Sequence, residues 1–297
     1  ERDKDGLEAG MNRVNSILQA SLKRNIIDQA SFDKMQAAFT GSTDYQAFSE
    51  CDLIVEAVFE DMAVKREVFS AIDAVAKPDA VLASNTSYLD INEIATSVKD
   101  PSRVLGLHFF SPAHIMKLVE IVHMPETSKE ILATGFALAK KLKKISALSG
   151  ICDGFIGNRM LAAYRRQADY LLADGAMPGE IDAAMRSFGM PMGPYELQDL
   201  TGLQIAWANR KRQAATRDPD ERYVTIADQL CELDRLGQRS GKGWYRYQEG
   251  DRKPHGDDAV DALIHDYRKA NAIEPRTFSK ETIQNRLVAA LANEGAL

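Results

Sequence analysis

The 297-residue sequence predicts an α/β fold followed by an all-α region. Four short apolar runs rich in β-branched residues alternate with amphipathic stretches before residue 150. Alternation of this kind indicates a parallel sheet covered by helices on both faces. After Gly150 the pattern changes to long stretches of helical periodicity, which indicates a second and mostly helical part of the chain.

The strands of the first part are expected to be short and buried. Each is an apolar run bounded by polar or turn-forming residues, as in parallel sheets. The predicted strands cover residues 52–58, 80–85, 104–110 and 117–122. The predicted helices cover residues 6–24, 31–39, 62–76, 91–98 and 127–142, and the third of them ends before Pro78.

The second part is predicted to contain six helices and two distinctive turns. The helices are expected over residues 154–174, 178–188, 194–214, 224–236, 258–271 and 280–293. A turn rich in proline and glycine covers residues 189–194, and a glycine-rich loop that ends in aromatic residues covers 237–247. Residues 248–257 are charged and rich in turn formers, as in a linker.

Composition excludes several classes of protein. Hydrophobic residues make up 45% and charged residues 27%, which is typical of a soluble globular protein, and no run of 18 apolar residues predicts a membrane span. The net charge of -6 argues against general nucleic-acid binding. Cys51, Cys152 and Cys231 are few and far apart, so we expect a reducing compartment, no disulfide framework and no metal site.

His108 and Glu120 are the strongest candidates for acid–base chemistry. His108 lies near the end of the third predicted strand, and Glu120 lies inside the fourth, between apolar neighbours. An ionised carboxylate is costly there unless it is paired. Paired with one ring nitrogen of His108, it would orient the imidazole as a general base for an alcohol proton. The alternative is a core or edge histidine that is hydrogen-bonded to the backbone.

Other polar residues follow the strands at the carboxyl edge of the sheet, where α/β proteins bind ligands. Asn85 and Ser87 follow the second strand, and Ser87 is either a substrate or cofactor donor or a turn-forming hydroxyl. Glu60 and Lys65 follow the first strand and could equally form a surface charge pair. Asn158, in the first turn of the helix at 154–174, is either a cap or a substrate contact.

Seven motifs in family order give the sequence a close resemblance to the L-3-hydroxyacyl-CoA dehydrogenase family, most of all to the dehydrogenase part of multifunctional fatty-acid β-oxidation proteins. Together they span nearly the whole chain. They are Asp52-Leu-Ile-Val-Glu-Ala-Val58 with Glu60, Ala83-Ser-Asn-Thr-Ser87, Gly106-Leu-His-Phe-Phe-Ser-Pro112, Leu118-Val-Glu-Ile-Val122, Gly154-Phe-Ile-Gly-Asn-Arg159, Phe188-Gly-Met-Pro-Met-Gly-Pro194 and Ser240-Gly-Lys-Gly-Trp-Tyr245.

The resemblance implies NAD as cofactor, an acyl-CoA substrate and a role for each candidate residue. His108 would be the catalytic base, oriented by Glu120, with Ser87 and Asn158 at the substrate's C3 oxygen. The implied cofactor-binding residues are Glu1, Glu60, Lys65, Asn85, Ser87 and Ser111. Ser111 stands where the family often has Asn, and Glu1 stands where the family binds the adenosine ribose.

The family's glycine-rich G-x-G-x-x-G turn does not occur in the sequence. We therefore expect an incomplete Rossmann-type doubly wound sheet, a chain cut off at both ends, and weak or no NAD binding by this fragment. The expected domains are a Rossmann-type domain at 1–149, a helical substrate or dimerisation domain at 150–247, a linker with a helix at 248–279, and the start of a second helical domain at 280–297.

The function implied is oxidation of (3S)-3-hydroxyacyl-CoA by NAD in fatty-acid β-oxidation. Expected partners are an enoyl-CoA hydratase in the same multifunctional chain or a second copy in a homodimer, with no nucleic acid and no membrane. The expected location is cytoplasmic, or peroxisomal in a eukaryote. The alternatives are a CoA-independent β-hydroxyacid or sugar-acid dehydrogenase, and a catalytically inert fragment.

Overall fold

The computed structural model describes residues 1–296 and divides the chain into two compact units, Glu1–Phe155 and Ile156–Leu297. The first unit contains a five-stranded sheet, and the second unit is mainly helical. The predicted order, an α/β part followed by an all-α part, is therefore confirmed. No helix within residues 1–296 is both long and apolar enough to cross a membrane.

The sheet has the strand order β1-β2-β3-β4-β5. Its strands are β1 (Leu53–Glu56), β2 (Val81–Ser84), β3 (Val104–Phe109), β4 (Leu118–Val122) and β5 (Ile145–Ser149). The pairs β1–β2, β2–β3 and β4–β5 are parallel, but β3 and β4 are antiparallel. The expectation of an all-parallel sheet is wrong at this pair, because residues 110–117 connect the two strands without the helix that a parallel crossover needs.

The sequence did not predict the edge strand β5. Ile145 and Leu148 are largely exposed, so the strand lacks the continuous buried character of its neighbours. Lys144 directly precedes this strand. Its ammonium donates to the backbone oxygens of Ala113 and Met116, and thereby ties the start of β5 to the β3–β4 connection.

The helices of the first unit are α1 (Lys4–Lys23), α2 (Gln29–Ala37), α3 (Met62–Val75), α4 (Ile91–Ala95) and α5 (Lys129–Lys141). Helices α3 and α4 pack on one face of the sheet and α5 packs on the other, through two separate apolar clusters. Side-chain caps fix where they begin. Asp61 accepts from the backbone N–H of Val64 at the start of α3, and Ser128 caps α5 in the same way.

The second unit contains seven helices within the described residues. They are α6 (Gly157–Asp174), α7 (Pro178–Phe188), α8 (Pro194–Thr201), α9 (Leu203–Gln213), α10 (Ile226–Glu232), α11 (Asp258–Ala270) and α12 (Lys280–Gly295). The single helix predicted over 194–214 is wrong. Gly202, with φ of 93°, separates α8 from α9, a backbone conformation that glycine adopts without strain.

Helices α11 and α12 contribute to the same apolar core as α6. Val260 and Ile264 of α11 and Ile283 and Leu287 of α12 are buried in one cluster with Leu171 of α6. Burying a side chain of this size contributes about 1.5–3 kcal/mol. The core of the second unit includes residues on both sides of positions 247 and 279. The domain boundaries expected at these positions stay a prediction.

Three residues connect the two turn motifs of the second unit. We call them the aspartate hub: Asp182, Asp199 and Tyr245. Asp182 accepts from the Tyr245 hydroxyl at 2.6 Å and from the backbone N–H groups that begin α8. Asp199 accepts from the backbone N–H groups of Trp244 and Tyr245 at 2.8 and 2.9 Å. These contacts hold residues 243–245 against α7 and α8.

The hub also explains two glycines of the motifs. A Cβ at Gly193 would lie 2.2 Å from Asp182, and a Cβ at Gly243 would lie 2.0 Å from Asp199. Neither position can take a larger residue without moving a buried carboxylate. The motifs that carried the family resemblance in this region are thus accounted for by packing and hydrogen bonding.

Candidate active site

The pairing expected between His108 and Glu120 is present in the structure. The two residues are direct neighbours in the antiparallel register of β3 and β4, which places both side chains on one face of the sheet. Nδ1 of His108 lies 2.6 Å from Oε2 of Glu120. Both residues are buried, with exposed fractions of 4% and 0%. The antiparallel turn that the sequence analysis missed is therefore what creates the pair.

The second ring nitrogen of His108 forms no hydrogen bond within the described residues. Two aromatic rings flank the imidazole: Phe110 at 4.6 Å and Phe155 at 5.6 Å between ring centroids, both tilted. These rings hold the imidazole in place together with Glu120. With Nδ1 occupied by the carboxylate, Nε2 is the atom that can exchange a proton with a ligand.

Glu60 holds the loop after β2 to the loop after β1. Its Oε1 accepts from the Thr86 hydroxyl at 2.6 Å and from the backbone N–H groups of Ser87 and Tyr88 at 2.7 and 2.9 Å. Partial burial alone would raise the pKa of Glu60. The hydrogen bond from Thr86, the two N–H groups and the charge of Lys65 outweigh burial and lower its pKa, so the carboxylate is ionised at neutral pH.

Lys65 is a buried residue and does not form the surface pair considered as an alternative. Only 1% of its side chain is exposed. Its Nζ lies 2.8 Å from Glu56 and 3.4 Å from Glu60. An ammonium group so far from water needs such carboxylates to remain charged. The resemblance implied that Lys65 contacts the cofactor directly. The burial of Lys65 does not support this contact, which stays a prediction.

Asn85 and Ser87 present polar atoms at the carboxyl edge of the sheet. Oδ1 of Asn85 accepts from the backbone N–H of Phe109 at 2.8 Å, which fixes the amide beside the end of β3. Within the described residues, neither the Asn85 amide nitrogen nor the Ser87 hydroxyl forms a hydrogen bond. Both groups are half-buried, so they are available to a polar ligand such as the nicotinamide part of NAD.

Ser111 and Glu1 are not brought together with this cluster in the described contacts. Ser111 is exposed, two residues beyond β3. Glu1 is exposed, and its amino group donates to the Ser42 backbone oxygen at 3.0 Å. Asn158 lies in the first turn of α6, as expected, and belongs to the second unit. The roles assigned to these three residues stay predictions.

Three polar residues of the cluster were not singled out from the sequence: Glu56, Ser84 and Thr86. All three are buried, with exposed fractions of 3%, 0% and 0%. A signal for Glu56 was available, because it interrupts an apolar strand just as Glu120 does. Ser84 and Thr86 carry no such signal, because small hydroxyl residues are common after strands.

The chemistry that the cluster offers is proton transfer. No group of three or more His, Cys, Asp or Glu residues in the described part of the chain is arranged as a metal site. A buried imidazole paired with a carboxylate is suited to take a proton from an alcohol. Such a pair at the carboxyl edge of a largely parallel sheet, in a chain with a second helical unit, is typical of dinucleotide-dependent α/β oxidoreductases.

Comparison with known proteins identifies the family within this class. Residues 1–149 match the family model "3-hydroxyacyl-CoA dehydrogenase, NAD binding domain", and residues 154–247 match "3-hydroxyacyl-CoA dehydrogenase, C-terminal domain". The chain belongs to the 3-hydroxyacyl-CoA dehydrogenase family. This confirms the resemblance, the Rossmann-type fold class and NAD as the cofactor of the family.

The similar proteins include a bifunctional enzyme, a part of a multifunctional enzyme and a protein that is matched over most of its length. The chain is 40% identical to the peroxisomal bifunctional enzyme of Cavia porcellus, over 99% of this chain and 42% of that protein. Among solved structures, FadB2 of M. tuberculosis has a TM-score of 0.78 and 34% identity, covering 84% of this chain and 89% of that one. The dehydrogenase part of multifunctional enzyme 1 from C. elegans has a TM-score of 0.69 and 29% identity, covering 97% and 65%.

The chain spans about two fifths of the length of the curated relatives it matches, 42% for the Cavia porcellus enzyme. The activity of those longer proteins is therefore a proposal for this chain.

Proposed function

We propose that the protein oxidises (3S)-3-hydroxyacyl-CoA to 3-oxoacyl-CoA with NAD in fatty-acid β-oxidation. The observation that carries the proposal is the buried His108–Glu120 pair, with 2.6 Å between the ring nitrogen and the carboxylate, in a chain of the 3-hydroxyacyl-CoA dehydrogenase family. The reaction needs one group that accepts a proton from the C3 hydroxyl, and Nε2 of His108 is suited to that role.

His108 and Glu120 have different roles in proton transfer. Glu120 accepts a hydrogen bond from Nδ1–H of His108, so the lone pair of the neutral imidazole is on Nε2, which can take the hydroxyl proton. The resulting imidazolium is stabilised by the buried negative charge of Glu120 beside it. A bound NAD would supply the acceptor for the hydride that leaves C3. The products are 3-oxoacyl-CoA, NADH and the proton held by His108.

The groups around the pair fit a polar cofactor and substrate. The amide nitrogen of Asn85 can donate to the nicotinamide side of the cofactor, and the hydroxyl of Ser87 can donate to the substrate's C3 oxygen. Glu60 fixes the loop that carries Ser87, because its carboxylate accepts hydrogen bonds from two backbone N–H groups of that loop. Asn158 would act at the same C3 oxygen, and Glu1 and Ser111 on the cofactor.

The proposal extends to partners and location. A CoA thioester is the substrate class, and an enoyl-CoA hydratase would precede the dehydrogenase in a multifunctional chain, as the bifunctional relatives suggest. Peroxisomal location is supported by the name of the same relative. Homodimer formation is the alternative assembly, and size-exclusion chromatography with light scattering separates a dimer from a single multifunctional chain.

The test is NADH oxidation by the intact protein with acetoacetyl-CoA as substrate, with free acetoacetate as the matched control. We expect turnover of the CoA thioester and at least about a hundredfold lower kcat/KM for the free acid, because binding energy from the CoA part contributes to the transition state. Equal rates on both substrates would favour a CoA-independent hydroxyacid dehydrogenase. No turnover of either substrate would contradict the proposed function.

A further inference from the structure

Glu56 is a buried carboxylate at the carboxyl end of β1, and its side chain has no exposed area. Its two oxygens accept from three donors. Oε1 accepts from the backbone N–H of Val58 at 2.6 Å and from Nζ of Lys65 at 2.8 Å. Oε2 accepts from the Ser84 hydroxyl at 2.7 Å. A buried carboxylate with this set of donors holds each of them in one position.

Lys65 connects Glu56 to Glu60. Its ammonium lies between the two carboxylates, 2.8 Å from Glu56 and 3.4 Å from Glu60. A third contact, to the backbone oxygen of Val58, is at 3.5 Å. Since almost none of this side chain is exposed, Lys65 acts on its surroundings through the carboxylates beside it.

The two loops that carry candidate site residues both depend on this arrangement. Through Ser84, whose hydroxyl accepts from the backbone N–H of Thr86 at 3.2 Å, Glu56 holds the start of the loop at 85–88. Through Lys65, it holds Glu60, which accepts from Ser87 and from the next residue in that loop. Glu56 is thus joined to the loop by two independent routes.

We propose that Glu56 is a positioning residue of the active site: through Ser84 and through Lys65 with Glu60, it sets the loop at 85–88 relative to the end of β1. The inference rests on the proposed function, because it assigns the loop to cofactor binding. His108 and Glu120 lie on β3 and β4, and their contact does not pass through Glu56. Loss of Glu56 should therefore weaken cofactor binding more than proton transfer.

The same unit offers a matched control. Asp73 and Arg103 form a second buried ion pair, and Asp73 also accepts from the backbone N–H of Lys99 at 3.2 Å. Arg103 donates to the backbone oxygens of Lys77 and Ala80, just before β2 begins, at the opposite end of that strand from Ser84. A substitution at Asp73 removes a buried charge of the same kind without touching the loop at 85–88.

The experiment compares Glu56→Gln with Asp73→Asn in the intact protein. For Glu56→Gln we expect the KM for NADH to rise by about tenfold or more with kcat within about threefold, because a loop displaced by a fraction of an ångström weakens positioning. The pH profile of kcat should keep the wild-type shape. Asp73→Asn should lower stability and leave the KM for NADH within about twofold.

A double variant separates positioning from stability. Replacing a buried ion pair by neutral residues often restores the stability lost when one partner is removed. Glu56→Gln combined with Lys65→Met should therefore recover unfolding stability while the KM for NADH stays high. If the KM returns to the wild-type value together with stability, Glu56 has only a structural role and the inference is wrong.

Amide hydrogen exchange gives a readout that does not need catalysis. In Glu56→Gln, the amides of Ser87 and Tyr88 should lose at least about tenfold of their protection, whereas Asp73→Asn should not change them. Unchanged protection in Glu56→Gln overturns the inference. If the wild type fails to turn over acetoacetyl-CoA, the proposed function is wrong, and the exchange result alone then decides whether Glu56 positions the loop.

Discussion

Glu120 in the first unit and Asp199 in the second are both buried carboxylates, with exposed fractions of 0% and 1%, but they have different kinds of partner. Glu120 faces the imidazole of His108, a side chain that can act as a general base. Asp199 accepts from two backbone N–H groups and from the Tyr247 hydroxyl. These donors keep their protons near neutral pH.

The difference shows what a buried carboxylate can do. A partner that titrates makes the carboxylate part of a proton-transfer unit, because its charge stabilises the protonated partner. Partners that do not titrate make it a structural acceptor, which fixes a loop and satisfies backbone donors. We therefore expect variants of the His108–Glu120 pair to change rate, and variants of the aspartate hub to change stability.

The largest effect is expected for His108→Asn. The asparagine amide can still donate to Glu120, so the carboxylate keeps a hydrogen bond, but no basic nitrogen remains. We expect kcat for acetoacetyl-CoA reduction to fall by about 10²–10⁴-fold, the usual contribution of general acid–base catalysis. Steady-state kinetics with a parallel thermal melt would check this. A loss of less than about tenfold would show that His108 is not the general base.

Asp199→Ala should have the largest effect on stability. The substitution leaves the backbone N–H groups of Trp244 and Tyr245 buried without an acceptor, at about 1–3 kcal/mol each. We expect the free energy of unfolding to fall by about 3 kcal/mol or more, measured by urea denaturation. The kcat of the fraction that remains folded should stay within about threefold of wild type. A variant that keeps its stability but loses activity would contradict the structural role that we assign to Asp199.

The hub should also make stability depend on pH. Burial is the largest influence on Asp199 and raises its pKa to about 6, above the ordinary value of 3.8. The folded state thus holds a proton that the unfolded state releases, so the contribution of this group to stability falls as pH rises from about 4 to about 6. Relative to Asp199→Asn, the wild type should lose stability across this window by about 3 kcal/mol.

Urea denaturation of both proteins at several pH values between about 4 and 7 measures this difference. Asp182, whose pKa burial raises to about 7, remains in both proteins, so its contribution cancels in the comparison. A stability difference that does not change with pH would show that Asp199 is ionised throughout, and would contradict the raised pKa.

The smallest effect is expected for Tyr247→Phe. Only the hydroxyl that donates to Asp199 at 2.9 Å is removed, while the two backbone donors remain. We expect a loss of about 1 kcal/mol in the free energy of unfolding, the usual net value of one hydrogen bond. A loss as large as that of Asp199→Ala would mean that the hydroxyl, rather than the backbone groups, is what the carboxylate stabilises.

The sequence allowed prediction of those features that depend on local pattern. The apolar runs of β1 to β4 and the capped helices were found because their periodicity and end signals lie within each element. Glu120 was found because a carboxylate in an apolar strand needs a partner. Its pairing with His108 was expected, although the antiparallel register that produces it was not.

Features that depend on distant residues were not predicted. Tyr245 reaches Asp182 across 63 positions of sequence, and Ser84 reaches Glu56 across 28, so no local pattern reveals these contacts. Lys65 looked like a surface residue because two charged residues, Arg66 and Glu67, follow it. Its burial instead depends on two carboxylates from the preceding strand and loop. Strand β5 was not predicted because two of its three apolar side chains, Ile145 and Leu148, are exposed.

The most direct test of the central claim is Glu120→Gln, because this change keeps the shape of the side chain and removes only its charge. The measurement is kcat for acetoacetyl-CoA reduction together with the free energy of unfolding, in the intact protein. We expect kcat to fall by about a hundredfold or more, with the free energy of unfolding within about 1.5 kcal/mol of wild type. Wild-type kcat with a large loss of stability would show that Glu120 is a structural acceptor like Asp199, and would contradict the account.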